Sequence, residues 1–314
     1  RSMLDEVNIE ENKTQEVVEG IFSYACIWAF GGALIEGSTT SGRSTFSEGW
    51  AMEFKPTWLL KDASVFDYFF DTKSLGFVPW SSLVQPYAPQ TIGLGENDID
   101  FGQIFVETTT VVQMRFLLAQ LVKEQTPTMI VGLSGTGKSV IMKDFLASQD
   151  EYVISETINM NFYMEHVDLQ RRLERCLDKR SGVTFAPPAG KRMIYFIDDM
   201  NLPQAEMFGT QNALSLLRMV MDTGTLFDRS DFGVKKEILD VQYVAALNPT
   251  SGSFNISERL QRHFSTFSLH MPLEAESKSI FLQIVAGHMI DFAPEVAAMA
   301  DNVISATIDL QSAI

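Results

Sequence analysis

Apolar positions recur at helical spacing early in the chain, at Val17, Ile21, Tyr24/Ala25 and Trp28, and again at Phe46, Trp50 and Phe54. Residues three to four apart share one helix face, so both stretches are predicted to be helices with an aromatic side. Pro56, Pro79, Pro86 and Pro89 then break the pattern. Between them, SVFDYFF (64–70) and the segment 75–80 fit a short strand pair or irregular packing. An aromatic stripe of this kind reads as packing against a core or a second domain rather than as a ligand box. The polar, glycine-containing segment 91–100 predicts a linker.

From Ile104 the pattern alternates between strand and helix, which predicts a parallel α/β layer. A helix over 110–124 carries Val111, Met114, Leu117/Leu118 and Leu121 on one face. Strands are expected at 128–131, 152–159, 193–197, 241–247 and 266–270. Further helices are expected from Lys138 and over 165–179, 211–221 and 256–264. Past Pro272 the chain turns helical over 274–290 and again after Pro294.

Composition narrows the function classes. The chain has 314 residues, enough for about two domains or one large α/β unit with an appendage. With 46% hydrophobic and 20% charged residues it matches the globular average, which excludes disorder as the main state. Against 40 Asp+Glu stand 24 Lys+Arg, a formal charge of −16 that argues against a general nucleic-acid binder but permits a local basic pocket. Cys26 and Cys176 lie far apart with no CxxC, so neither a disulfide scaffold nor a cysteine zinc site is expected, and a reducing, intracellular setting fits. No segment reaches the roughly 20 apolar residues of a membrane helix. The nearest candidate, 24–35, is interrupted by Gly31 and Gly32 and predicts a buried helix. The acidic, polar opening RSMLDEVNIEEN is no signal peptide. A start at Arg1 and a stop at Ile314 within an apolar-periodic stretch predict an excerpt of a longer polypeptide.

The chemistry concentrates in four places. The first is GLSGTGKS at 132–139, a full GxxxxGK[ST] between a predicted strand and a predicted helix. Such glycines let backbone N–H groups wrap phosphate oxygens at a helix N-terminus. Gly132, Ser134, Gly135, Thr136 and Gly137 would form the cradle, Lys138 would reach the β- and γ-phosphates, and the Ser139 hydroxyl would ligate Mg²⁺. The second is the strand MIYFI ending in Asp198 and Asp199. A strand-end Asp holds Mg²⁺ in P-loop ATPases and a neighbouring acid serves the attacking water, roles that fall here to Asp198 and Asp199. Alone, the pair could equally begin a turn through Asn201 and Pro203. The third is Asn248, at the end of YVAAL, which would contact the γ-phosphate or the water if its strand lies beside Asp198. The fourth is ERLQRHF, in which Arg259 and Arg262 share a helix face and could supply an arginine finger or simply a solvated basic face.

Together GLSGTGKS, FIDDMNLP, AALNP and ERLQRHF resemble, in this order and spacing, an AAA+ ATPase module of a dynein heavy chain motor ring. FSYACIWAFGGAL, FDYFFD and VPWSSLVQPY are similar to the extension linking the second and third modules, so the chain looks like the region around the third module of an axonemal heavy chain. That resemblance implies an α/β fold: a three-layer P-loop AAA+ large domain with a parallel sheet over 101–271, a helical and aromatic extension with its linker over 1–100, and the start of a small helical lid over 272–314. The segments 182–190 and 227–237 would be the clade's two hairpin-like insertions. It also implies ATP or ADP with Mg²⁺, bound in a regulatory capacity within a microtubule motor whose principal hydrolytic site lies in another module. Partners would be neighbouring AAA+ modules of the same heavy chain, microtubules through other regions, and dynein intermediate and light chains, in the cytoskeleton of a cilium or flagellum, with no nucleic acid and no membrane. Arg262, with Arg259 as second choice, would serve a neighbouring module's site, and Val106 in IFVETTT (104–110) is a weaker candidate for the adenine side.

One departure bears on activity. Many active AAA+ sites carry Glu where this chain has Asp199, and the missing methylene retracts the carboxylate by about 1.5 Å. A misplacement of about 1 Å can cost on the order of 100-fold in rate. Nucleotide binding is therefore expected more firmly than fast hydrolysis, which leaves a scaffold module with trapped ADP as the rival. A P-loop kinase is a weaker rival, because Asn248 at a strand end and the RHF corner do not suit it.

Overall fold

The computed structural model describes residue 3 and residues 15–36, 41–86, 104–231, 233–250, 255–272, 274–289 and 292–313; the expected linker at 91–100 lies outside them. In chain order the elements are α1 (Gln15–Gly31), α2 (Gly42–Phe54), β1 (Tyr68–Asp71), β2 (Gly76–Pro79), α3 (Thr109–Lys123), β3 (Thr128–Gly132) and α4 (Lys138–Ala147). There follow β4 (Val153–Asn159), α5 (His166–Arg175), β5 (Asp178–Ser181), β6 (Thr184–Ala186), β7 (Arg192–Asp198), α6 (Asn212–Thr223), β8 (Thr225–Phe227), β9 (Lys235–Ile238) and β10 (Val241–Leu247). The last are α7 (Glu258–Gln261), β11 (Ser265–Leu269), α8 (Glu274–His288), α9 (Pro294–Ala297) and α10 (Ala300–Ala313).

The main sheet has the order β11-β3-β10-β7-β4, with every neighbouring pair parallel. Parallel strands need helical crossovers, which cover both faces and make the strands apolar on both sides. The two faces are visible residue by residue. Ile194, Phe196, Val244 and Ala246 enter one apolar cluster, with α3 and α4. Met193, Tyr195, Ile197, Tyr243, Ala245 and Leu247 enter the other, with α5 and α6. The period-2 split produces the expected three layers.

The first cluster also takes in the amino-terminal block, with Ile21, Trp28, Phe66, Phe69 and Trp80. Phe116 of α3 is the meeting point: Tyr24, Phe69 and Trp80 pack around its ring at centroid distances of 6.3, 5.7 and 5.3 Å. Offset and edge-on ring pairs of this kind contribute about 0.5–1.5 kcal/mol each beyond the area they bury. The helices expected from the aromatic stripe are α1 and α2, and 64–80 holds the strand pair β1–β2, antiparallel from Tyr68↔Pro79 to Asp71↔Gly76.

Two expected helices are shorter than their patterns. The helix read over 165–179 ends at Arg175, and Asp178–Ser181 is a strand whose hairpin partner is β6. The charged residues there mimic a solvated helix face, but Gly182 at φ +52° turns the chain back and β-pairing takes over. The helix read over 256–264 is reduced to the four residues of α7, since the chain must straighten into β11. Hairpins β5–β6 and β8–β9 join through a parallel β6–β9 pairing into a second sheet, ordered β5-β6-β9-β8. They occupy the places of the two expected insertions, with strands starting earlier than 182 and 227. Lys236 of β9 pins this sheet to α5, bridging Glu174 and Asp228 at 3.3 Å each above the Phe185 ring. After Pro272 the chain is helical as expected, and Lys278 of α8 pairs with Asp301 of α10 at 3.0 Å.

Candidate nucleotide site

Parallel strands place all their carboxyl ends on one edge, where the loops into the following helices form a crevice. Three of the four sequence motifs end there. β10 lies between β3 and β7, with Leu247 beside Val131 and Ala245 beside Ile197. The glycine loop, the two aspartates and Asn248 are therefore neighbours on adjacent strands, and the condition attached to Asn248 is met.

The loop after β3 is shaped by its glycines. A Cβ on Gly132 would stand 2.6 Å from the Leu269 carbonyl oxygen and 2.9 Å from Thr136 Oγ1, so only glycine permits this approach of β3 to β11. Gly135 and Gly137 adopt φ of +84° and +86°, the left-handed region that side chains disfavour. Thr136, itself buried, donates its hydroxyl to the Leu133 carbonyl at 2.9 Å and holds the loop closed on itself, while Ser134 at its tip is exposed. α4 begins at Lys138, so Gly137 is its N-cap and the first-turn N–H groups face the loop. Ser139, partly buried, is the second residue of α4.

Lys138 is buried, and its ammonium donates to the Gly132 and Leu133 carbonyls at 2.7 Å each. Burial lowers its pKa from the ordinary lysine value, opposed by the charges of Asp199 and then Asp198. Asp198 closes β7 and accepts a hydrogen bond from the Asp199 amide at 3.1 Å. Asp199 sits at φ +52°. Aspartate enters the left-handed region several-fold more readily than most residues, a physical reason for the shorter acid at this turn. Burial, then the Asp198 charge, raises the Asp199 carboxyl above the usual aspartate range, and Lys138 opposes the rise. A stronger base at this position is a better proton acceptor for a water.

The Asn248 side-chain oxygen accepts from the Thr250 amide and hydroxyl at 3.2 and 3.1 Å. Its backbone carbonyl accepts from Nδ2 of buried Asn201 at 2.7 Å, which ties the end of β10 to the loop following Asp199. Buried Gln211 completes the tie by donating to the Pro203 carbonyl at 2.7 Å and the Asn201 carbonyl at 3.4 Å. From the sequence, Asn201 and Pro203 figure as turn signals and as part of the FIDDMNLP resemblance, and Gln211 only as the start of an expected helix. Sequence reading missed Asn159, the last residue of β4, which stands opposite Asp198 in register. A polar residue ending an apolar strand was the available signal, as it was for Asn248. Val106 is buried just ahead of α3.

The fourth motif is elsewhere. Arg262 follows α7 and precedes the amino end of β11, the opposite edge of the sheet from the glycine loop. There its guanidinium pairs with Asp222 Oδ1 at 2.7 Å, and His263 Nε2 approaches the same oxygen at 2.9 Å. The Arg262 hydrogen bond holds the Asp222 carboxyl below its usual range. Arg259 is exposed on α7. Neither arginine is on the glycine-loop edge.

The carboxyl edge thus combines a loop closed to a Cβ at Gly132 and turned through left-handed Gly135 and Gly137, a buried ammonium, a hydroxyl at the start of α4 and two adjacent carboxylates. Hard oxygen donors such as Ser139 and Asp198 suit Mg²⁺, which keeps most of its waters and takes few protein ligands. Among the described residues no group of three or more His, Cys, Asp or Glu is arranged to hold a metal alone. Among the described residues, too, no helix is long and apolar enough to cross a membrane.

Comparison with known proteins agrees with this geometry. Residues 95–272 match the family described as P-loop containing dynein motor region, and residues 1–82 match the dynein heavy chain AAA lid domain. The chain is 38% identical over 292 residues to the dynein beta chain of the flagellar outer arm of Chlamydomonas reinhardtii, covering 92% of this chain and 6% of that one. It is 38% identical over 289 residues to mouse dynein axonemal heavy chain 17, with 91% and 6% covered. To the ciliary dynein beta chain of the sea urchin Heliocidaris crassispina it is 35% identical over 314 residues, with 99% and 7% covered. The chain thus spans well under a tenth of the length of these relatives. The cradle, the acidic strand end and the lid ahead of them, matched across both segments, place this chain in the dynein heavy chain family as a P-loop AAA motor region preceded by a lid.

Proposed function

We propose that this region binds Mg²⁺ with ATP or ADP at the carboxyl edge of its sheet and regulates a microtubule-based motor of cilia or flagella. The observation that carries the reading is Lys138, an ammonium buried in the glycine loop on two carbonyls and facing Asp199 and Asp198. The ammonium makes its direct hydrogen bonds to neutral carbonyls and has Asp199 and Asp198 only as more distant countercharges, so a polyphosphate in the loop would give it a direct anionic partner. Gly132, Ser134, Gly135, Thr136 and Gly137 would contact the phosphates through their backbone, and Ser139 and Asp198 would hold the metal, which neutralises phosphate charge when bound. Asp199 would accept the proton of the attacking water, with Asn248 orienting it. Val106 is the candidate for the base.

The reading extends to the third AAA+ module of an axonemal heavy chain, with units over 1–100, 101–271 and 272–314. Its partners would be the neighbouring modules of the same chain, microtubules through other regions, and intermediate and light chains. Arg262, or secondarily Arg259, would complete a neighbouring module's site, because it lies on the edge of the sheet away from its own loop. A second reading, a scaffold holding ADP permanently, is favoured by the short Asp199. Labelled-nucleotide exchange separates the two: release and turnover support a regulatory ATPase, whereas ADP retained through purification supports the scaffold.

A further inference from the structure

Helix α6 touches both edges of the sheet. At its start, Gln211 is the N-cap residue, and its side chain grips the loop after Asp199 through the Pro203 and Asn201 carbonyls. That loop is fastened in turn to the end of β10 by Asn201. At its other end, in the last turn, stands Asp222, holding the Arg262 guanidinium on a carboxylate oxygen that His263 Nε2 also approaches. Ala213, Leu214, Leu217 and Val220 bury the face between, so the helix is fixed along its length. Its 12 residues span about 18 Å.

An acid in the last turn of a helix lies at the negative end of the helix dipole, where cations are favoured. No basic residue occupies that turn of α6. The position is therefore unfavourable for Asp222 by local rules, and its cation partner, Arg262, comes from outside the helix. Arg262 is long and its side chain is 64% exposed, so without a fixed acceptor it would sample many rotamers. Asp222 is less exposed than Arg262 and anchored on a buried helix, which makes it the fixed member of the pair.

Resting on the reading of Arg262 as a finger toward an adjacent module, we infer that Asp222 is the positioning residue for that finger and that α6 ties its grip to the acidic loop of this module's own site. Asp222 holds the guanidinium pre-oriented at the amino edge of the sheet, which lowers the ordering cost when it meets a phosphate across the interface. A displacement of the loop after Asp199 is passed through Gln211 to α6, and so to the arginine. The adjacent site thus responds to what occupies this one.

The test uses the complete heavy chain in which the P-loop lysine of every module except this one and the adjacent one is replaced by alanine, with Asp199→Asn added so that this site still takes nucleotide while turnover reports the adjacent site. Arg262→Ala is expected to lower kcat on the order of 10³-fold. Asp222→Asn should lower kcat about 10- to 100-fold with KM changed less than about 2-fold, and Asp222→Glu should recover part of the loss. Added to Arg262→Ala, Asp222→Asn should cost nothing further, which a merely structural role would not produce. Gln211→Ala should lower kcat about 3- to 10-fold. If Arg262→Ala lowers kcat while Asp222→Asn leaves it within about 2-fold, the positioning role is overturned and the finger reading stands. If Gln211→Ala alone is silent, the tie through α6 is overturned. An Arg262→Ala chain with unchanged turnover overturns both the inference and the reading beneath it.

Discussion

The two edges of the five-stranded sheet treat charge in opposite ways. At the amino edge, the Arg262 guanidinium meets the Asp222 carboxylate, so opposite charges are matched inside the chain, with the His263 ring alongside. At the carboxyl edge, Asp198 and Asp199 stand side by side, Asp199 holds a left-handed backbone, and the Lys138 ammonium rests on neutral carbonyls. Like charges and backbone strain persist where the surroundings impose them, and they cluster where an external group is to be received. On the proposed reading, one edge would take in a charged ligand and its cation, and the other would hold a cation ready for a neighbouring module's site.

The carboxyl edge also carries the amino-terminal lid. Arg43 of α2 donates to the Ser268 carbonyl at 2.9 Å and the Gly32 carbonyl at 3.3 Å, and lies over the Trp28 and Phe66 rings at 5.7 and 5.1 Å. The Ser268 amide donates to the Gly32 carbonyl at 2.9 Å, extending β11 onto the chain after α1. Because Leu269 is paired with Gly132, the lid docks one strand from the glycine loop.

The largest effect that would break the contrast is at this junction. Arg43→Ala removes charge-assisted hydrogen bonds and two cation–π contacts, together about 2–4 kcal/mol. Hydrogen exchange should show that loss in the protection of α1 and α2 amides, and protection unchanged within about 0.5 kcal/mol would mean that the aromatic contacts alone hold the lid. Next is Gly132→Ala, whose Cβ must push β3 from β11 at an expected cost of about 1–3 kcal/mol in β11 amide protection, with nucleotide binding lost.

A smaller effect depends on pH. His270 Nδ1 accepts the Glu36 amide at 3.1 Å, and burial, with Arg43 nearby, lowers its pKa from 6.5 to about 4. The unfolded chain therefore takes up this proton first as pH falls, so stability from the neutral ring is complete above about pH 6.5 and lost toward pH 4. Protection of the Glu36 amide should fall over that window, and His270→Gln should flatten the response. Smallest is Asp199→Glu. It restores reach but puts a residue less tolerant of positive φ into the turn, so slow turnover in a single-site assay should rise no more than about 10-fold. A rise of 100-fold would make side-chain length the sole limit.

Much of this was legible in the sequence because it depends on local patterns. The glycine loop, the aspartate-ended strand and the apolar runs each state their conformation within about ten residues, and the strands at 193–197 and 241–247 lie where the alternation predicts them. What escaped depends on pairing across the chain. Arg43 finds Ser268 across 225 positions, and Asp222 finds Arg262 across 40, with no periodicity linking either pair. Asp178 and Lys179 read as the end of a helix because the strand character of Asp178–Ser181 comes from its β6 partner rather than from its own residues. Asn159 was overlooked because its significance is its register opposite Asp198, which only the sheet order reveals.

The central claim is that the carboxyl edge receives nucleotide through Lys138. The most direct measurement compares nucleotide bound per heavy chain in the intact motor with that in the Lys138→Ala variant, using labelled ATP and ADP with Mg²⁺ after removal of free nucleotide. The account predicts one fewer nucleotide per chain in the variant, with amide exchange in β3, β7 and β10 unchanged. An equal number bound in both chains would contradict it.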